Sequence, residues 1–200
     1  MSGENPTQEP SLIWCSSRKY LEEKLKLKMN GEKSKVASVA AVRNFKFLGF
    51  ALGKGKDGYY IRAHANSLKK AKAKLREITS RNQGRNVRVV MQNVKTYITG
   101  WLNYFGIASM KSTMEKWDGW LRRRFRMYIW KQWKKPRTRI ENLKKLGMPD
   151  WQAYRNGNTR KGYWAIAGSG ILSNTITNER LAQAGYFSIL DRYESLHSSF

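Results

Sequence analysis

The stretch Gly100-Trp-Leu-Asn-Tyr-Phe105, followed by Trp117-Asp-Gly-Trp-Leu-Arg-Arg-Arg-Phe-Arg126 and Trp130-Lys-Gln-Trp-Lys-Lys135, constrains the fold more than any other part of the chain. Aromatic and basic residues interleave there at helical spacing, so the segment must form helices that bury rings on one side and carry cations on another. Rings stack on bases and Lys/Arg neutralise phosphates, so the same mixture suits a nucleic-acid surface. The formal net charge of +25 has the matching sign. A balance this basic implies a polyanionic partner rather than a small substrate.

The excess charge is localised. Residues 61–95 carry 10 Lys/Arg and 1 acid, and residues 111–145 carry 13 and 3. Between them, residues 96–110 carry no charge at all, which predicts a core helix flanked by two basic surfaces. With 8 Trp and 10 Tyr the chain has ample material for a core. Only the polar, proline-containing N-terminus, residues 1–16, is expected to be disordered. Cys15 is the sole cysteine, and His64 and His197 lie far apart, which argues against a zinc site or any bound metal. No apolar run approaches the roughly 18 residues of a membrane span, and no secretory signal is visible. A reducing cytoplasm is the simplest compartment, bacterial by expectation, with an organelle as the alternative.

Periodicity predicts a mainly α chain with a small β-hairpin. Ser17 to Leu25 reads as a short helix with Ser17 as N-cap, Lys26–Met29 as a strand, and Asn30-Gly31 as a turn. Phe45 to Leu52 reads as a buried strand, Gly53 to Gly58 as a glycine-rich turn with Lys54 and Lys56 at its tip, and Tyr59 to Arg62 as the return strand. Three amphipathic helices follow. The first, from Asn66, has Leu68, Ala71, Leu75 and Ile78 inward. The second, Val87 to Phe105, carries the stripe Val87, Val90, Val94, Tyr97, Trp101 and Phe105, with Met91, Ile98 and Leu102 beside it. The third opens at Ser112, where Ser112-Thr-Met-Glu115 has capping-box spacing, and buries Met114, Trp117, Leu121, Phe125 and Tyr128. These three predict a small bundle. Beyond Pro136 a helix over Thr138–Leu146, a compact element through Lys161–Asn178 and a helix over Glu179–Leu196, interrupted near Gly185, form a small C-terminal α-rich element.

The candidate RNA-binding residues follow from this placement. They are Lys69, Lys70, Lys72, Lys74 and Arg76 on the first basic helix, and Arg81, Arg85 and Arg88 around the turn after it. On a wheel of roughly 100° per residue, Arg122, Arg123, Arg126, Trp130 and Lys134 share the outer side of the third helix, with Lys131, Trp133 and Lys135 beside them. Trp130 and Trp133 admit two roles, packing against the C-terminal segment or stacking on a base. His64 and His197 read as surface residues. No catalytic residue is identified.

These blocks resemble, in order, the C-terminal part of a group II intron-encoded reverse transcriptase/maturase. Glu22-Glu-Lys-Leu-Lys-Leu-Lys-Met-Asn30 with Lys33-Ser34 is similar to the sixth conserved block of the reverse transcriptase. Phe47-Leu48-Gly49-Phe50 and its hairpin, with Lys54 and Lys56, resemble the palm element that grips the primer. Residues 66–136 resemble the maturase-specific domain, or thumb, with residues 17–65 as a palm remnant before it and residues 137–200 as a C-terminal extension. The resemblance implies a thumb-like three-helix bundle and a group II intron RNA as partner. It also raises an RNA/DNA primer-template duplex and a separate palm chain as partners, and no membrane. The family's Asp-Asp metal turn has no counterpart in this sequence, so Mg2+ would belong to the missing palm or to the ribozyme. A truncated or split reading frame is expected on that basis. The leading expectation is a non-catalytic module that assists intron folding and splicing. The alternatives are the thumb of a split RNA-directed DNA polymerase, a helix-turn-helix DNA-binding bundle, and an inactive gene remnant.

Overall fold

The structure, a computed structural model, describes residues 9–30, 46–56 and 58–198. It divides into two compact units, Met1–Ile61 and Arg62–Phe200. The described residues form ten α-helices and one two-stranded antiparallel hairpin, so the chain is mainly α with a small β element.

In the first unit α1 spans Glu9–Lys19 and runs into a π-helical turn, Tyr20–Lys24. The helix therefore starts well before Ser17, in the stretch expected to be disordered. Pro10 falls in its first turn, where the N–H that proline lacks would have no intrahelical acceptor. Lys26–Met29 forms no strand; Lys26 takes a left-handed φ of 53° instead. Gly31, Lys33, Ser34 and Phe45 lie outside the described residues.

The hairpin pairs β1 (Phe50–Gly55) with β2 (Gly58–Ala63), and the unit boundary falls within β2. Phe47 to Phe50 is not the buried strand that its apolar residues suggest. Leu48 and Gly49 both have positive φ, 48° and 84°, and Phe47 and Phe50 exchange N–H···O bonds of 3.0 and 2.8 Å. Two successive left-handed residues close a tight mirror-image turn, which Gly49 adopts without cost. Phe47 and Leu48 are consequently exposed.

The second unit begins with α2 (Ala65–Ile78), α3 (Val87–Phe105) and α4 (Lys111–Gln132). Their inner faces meet through Ala71 and Leu75 of α2, Val90, Met91, Val94, Ile98 and Leu102 of α3, and Met114, Trp117, Leu121, Phe125 and Tyr128 of α4. The buried stripe of α3 is centred on Val94, Ile98 and Leu102, while Tyr97, Trp101 and Phe105 sit half-buried at its margin. Trp101 nevertheless stacks on Phe105, with centroids 4.6 Å apart, and lies 5.6 Å from Trp117.

Six shorter helices complete the unit: α5 (Pro136–Lys145), α6 (Asp150–Gly157), α7 (Tyr163–Ala167), α8 (Gly170–Thr175), α9 (Asn178–Gln183) and α10 (Ile189–His197). α5 packs on α6, while α7 and α10 pack along α4. α4 is thus enclosed on more than one side, burying Asp118, Arg126, Met127 and Trp130 besides its expected stripe. Its start also differs from the capping-box reading. Helix begins at Lys111 with Met110 as N-cap and no side-chain cap. The α10 residue Tyr193 supplies the restraint instead: its hydroxyl accepts from the Met110 N–H at 3.0 Å and donates to the Ala108 carbonyl at 2.9 Å.

Candidate nucleic-acid interface

α2 turns its apolar stripe inward, so Lys69, Lys70, Lys74 and Arg76 are left exposed. Lys74 reaches Glu77 at 2.9 Å in an exposed pair, which contributes little to stability. Lys72 is half-buried, its ammonium 5.4 Å from the Trp120 ring. His64 proves to be the N-cap of α2, accepting from the Asn66 N–H at 3.1 Å. The turn after α2 carries Arg81, half-buried, and Arg85, exposed; Arg88 is exposed on the first turn of α3. This turn is held against α4, because the Arg85 carbonyl accepts from the Tyr128 hydroxyl at 2.7 Å and from Gln132 Nε2 at 2.8 Å.

The arginines of α4 behave differently from those expectations. Arg122 pairs with Asp118, a carboxylate only 2% exposed that also accepts from the Tyr186 hydroxyl at 2.6 Å and the Ile189 N–H at 3.0 Å. Burial, and then the Asp118 charge, hold the Tyr186 hydroxyl far above its ordinary pKa. Arg123 donates to the Trp164 carbonyl at 2.8 Å, with its guanidinium 4.1 Å from that residue's ring and lying where a side chain on Gly168 would stand. Arg124 donates to the carbonyls of Arg76 and Thr79, each at 3.0 Å, and to the Thr79 hydroxyl. It thereby closes the C-terminal end of α2, where a cation is favoured. Burial and the neighbouring Arg76 and Arg81 charges lower its pKa. Arg126 is 8% exposed and donates to the Ile176 carbonyl at 2.8 Å and Asn178 Oδ1 at 3.0 Å.

The expected outer face of α4 is therefore corrected. Arg126 and Trp130 are buried, and Arg122 and Arg123 are tied to other parts of the fold. A helical wheel assumes one buried side, and here the C-terminal helices supply a second. Trp130, 1% exposed, packs 5.9 Å from half-buried Trp133 and 4.8 Å beneath the Arg139 guanidinium. Lys134 and Lys135 do remain exposed, and Lys131 is half-buried.

Lys131 belongs to a cluster of cations drawn from several elements of the unit. Arg81 from the α2–α3 turn, Lys131 from α4 and Arg139 from α5 converge on the ring of Tyr163 in α7, at 4.8, 5.3 and 5.9 Å from its centroid. All three are half-buried, and among the described residues no carboxylate pairs with any of them. The ring quadrupole attracts each cation, yet like charges held this close in a partly desolvated setting repel. A phosphate oxygen relieves that repulsion with charge-assisted hydrogen bonds. Neither Arg139 nor Tyr163 stands among the residues singled out by periodicity. Their only trace in the sequence is a basic residue after Pro136 and an aromatic one after Lys161-Gly162.

On the hairpin, Lys54 and Lys56 are exposed, and Lys54 lies 5.9 Å from the Tyr59 ring. Phe47 and Leu48 are exposed, and Gly49 and Phe50 half-buried. Among the described residues no three His, Cys, Asp or Glu side chains come together, and no helix is long and apolar enough to cross a membrane.

No curated protein matches the chain. Residues 68–147, however, match the family described as group II intron, maturase-specific domain. The match begins in the first turn of α2, takes in α3, α4 and α5, and so covers Arg81, Lys131 and Arg139. Over residues 68–147, from the first turn of α2 to just past α5, the chain is therefore similar to the group II intron maturase-specific domain.

Proposed function

We propose that this domain binds structured group II intron RNA and assists its folding and splicing through electrostatics and shape. The observation that carries the reading is the convergence of Arg81, Lys131 and Arg139, all within the matched residues, on the Tyr163 ring beyond them, without a carboxylate. In the same unit Lys69, Lys70, Lys74, Arg76, Arg85, Arg88, Lys134 and Lys135 add exposed cations. In a folded intron, phosphates from different helices crowd together, and cations presented at fixed spacing lower the cost of that crowding. The transesterification chemistry stays with the RNA.

The test is binding to a folded group II intron transcript over a salt series. Each neutralised phosphate contributes roughly 0.7–0.9 to the slope of log K against log salt. Arg81→Gln with Lys131→Gln should flatten that slope by roughly one to two units without changing the melting temperature. An unchanged slope would refute the cluster as an RNA contact.

A second reading rests on the hairpin, whose Phe47, Leu48, Tyr59 and Tyr60 are exposed. Such a surface fits a separate palm chain or a primer-template duplex. Stimulation of templated DNA synthesis on mixing the protein with a reverse-transcriptase palm chain would support it, and no stimulation would reject it.

A further inference from the structure

Beyond the matched domain, residues 151–178 contain no aspartate or glutamate, but do contain Arg155, Arg160 and Lys161. α6 begins one residue before this stretch, at Asp150, whose carboxylate is paired with Lys144 at 2.8 Å. It buries Ala153 and Gly157 and packs on α5, where a side chain on Gly157 would strike Ile140. That packing fixes which side of α6 faces out. Trp151, Tyr154, Arg155 and Asn158 recur at helical spacing and all four are exposed. Trp151 is 65% exposed, the most of any described tryptophan, and Tyr154 is 55% exposed. The Trp151 side chain has no hydrogen-bond, ion-pair or ring partner among the described residues. Tyr154 has the Lys144 ammonium 4.6 Å from its ring centroid, and that ammonium also meets Asp150 at 2.8 Å.

The Trp151 ring is thus left to solvent beside a Tyr154 ring that is held from one side by Lys144. A purely apolar partner is disfavoured by Arg155 on the same face and by Arg160 and Lys161, exposed in the turn that follows. Flat rings with cations beside them are what an unpaired strand requires, because every base has a π-face and every linkage a phosphate.

We infer that the Trp151–Tyr154 face of α6 is a stacking platform for unpaired RNA bases, with Arg155, Arg160 and Lys161 meeting the adjoining phosphates. The inference rests on the RNA-binding reading above but places a distinct kind of contact at a distinct site. The Tyr163 cluster reads charge alone and accepts helical RNA. The α6 face takes only bases freed from pairing.

The test compares two labelled probes on the full chain, a short oligouridylate and a blunt RNA duplex, by fluorescence anisotropy. Trp151→Ala should weaken oligouridylate binding roughly 5- to 100-fold, the usual range for one stacked base. Duplex affinity and melting temperature should stay at the parent values, and Trp151→Phe should retain most of the oligouridylate affinity. Arg81→Gln with Lys131→Gln should weaken both probes. If Trp151→Ala binds oligouridylate like the parent while the Arg81/Lys131 variant still loses both probes, the platform is overturned and the RNA-binding reading stands. Equal losses on both probes from Trp151→Ala would also overturn it, since stacking cannot act on paired bases. So would loss of a concentration-dependent dimer in Trp151→Ala with oligouridylate binding intact, which would make this face a contact between two copies.

Discussion

α2 and α4 are both rich in cations, and they use them in opposite ways. On α2, Lys69, Lys70 and Arg76 stand exposed, and Lys74 meets only an exposed glutamate. On α4, all of Arg122, Arg123, Arg124 and Arg126 are bound to protein acceptors contributed by other segments or by Asp118. The planar guanidinium can donate to two or three fixed acceptors at once, so it serves as a tie between backbone carbonyls. The ammonium on a flexible stem remains hydrated and adaptable. A count of positive charge treats the two helices alike, but the arginines of α4 are tied to protein acceptors while Lys69, Lys70 and Arg76 of α2 present their charge to solvent.

The comparison breaks most visibly if the α4 ties prove dispensable. The largest effect is expected from Asp118→Ala, which leaves Arg122 without its partner and the Tyr186 hydroxyl and Ile189 N–H without their acceptor. Breaking a buried pair of this sort costs roughly 3–5 kcal/mol. A thermal melt within a degree or two of the parent would show that the latch does not hold the C-terminal helices. Arg126→Gln should cost less, roughly 1–3 kcal/mol, by leaving the Ile176 carbonyl unsatisfied. Lower RNA affinity from this variant at an unchanged melting temperature would put Arg126 with the α2 set instead.

A smaller effect is expected from alkali. The Tyr186 pKa is raised by burial and by Asp118, so its contribution to stability is complete below about pH 10, the unfolded value. It is lost progressively as pH rises beyond that, because the folded state must then keep a proton that the unfolded chain releases. Tyr186→Phe should flatten the alkaline fall in melting temperature. It should not abolish it, since burial also raises Tyr97 and Tyr128. A Tyr186→Phe curve parallel to the parent's above pH 10 would contradict this assignment. The smallest effect belongs to the exposed Lys74–Glu77 pair, where Glu77→Gln should shift stability by less than about 0.5 kcal/mol in a denaturant melt.

Much of the second unit was legible from periodicity. The bounds of α3 and the inner stripes of α2 and α4 follow from apolar residues recurring every three or four positions, a pattern that tertiary packing reinforces. What was not legible depends on contacts distant in sequence. Ser112 looks like an N-cap only until Tyr193 is seen holding the Met110 N–H. Arg126 and Trp130 look solvent-facing until α7 to α10 close over α4. Phe47 to Phe50 reads as strand because its side chains are apolar, although its backbone turns at Leu48 and Gly49. The Tyr163 cluster draws on four segments, so no spacing rule reveals it, and α6, only eight residues long, is too short for periodicity to distinguish.

The central claim is the division of labour between the α2 side and α4, and one paired measurement tests it most directly. Lys69→Gln/Lys70→Gln/Arg76→Gln and, separately, Arg126→Gln would each be followed by thermal melting and by salt-dependent binding to a folded group II intron transcript. The account predicts that the α2 triple variant melts with the parent and loses roughly two units of salt slope. It predicts that Arg126→Gln melts lower but, while folded, keeps the parent slope. A triple variant with the parent slope, beside a fully folded Arg126→Gln that has lost slope, would contradict it.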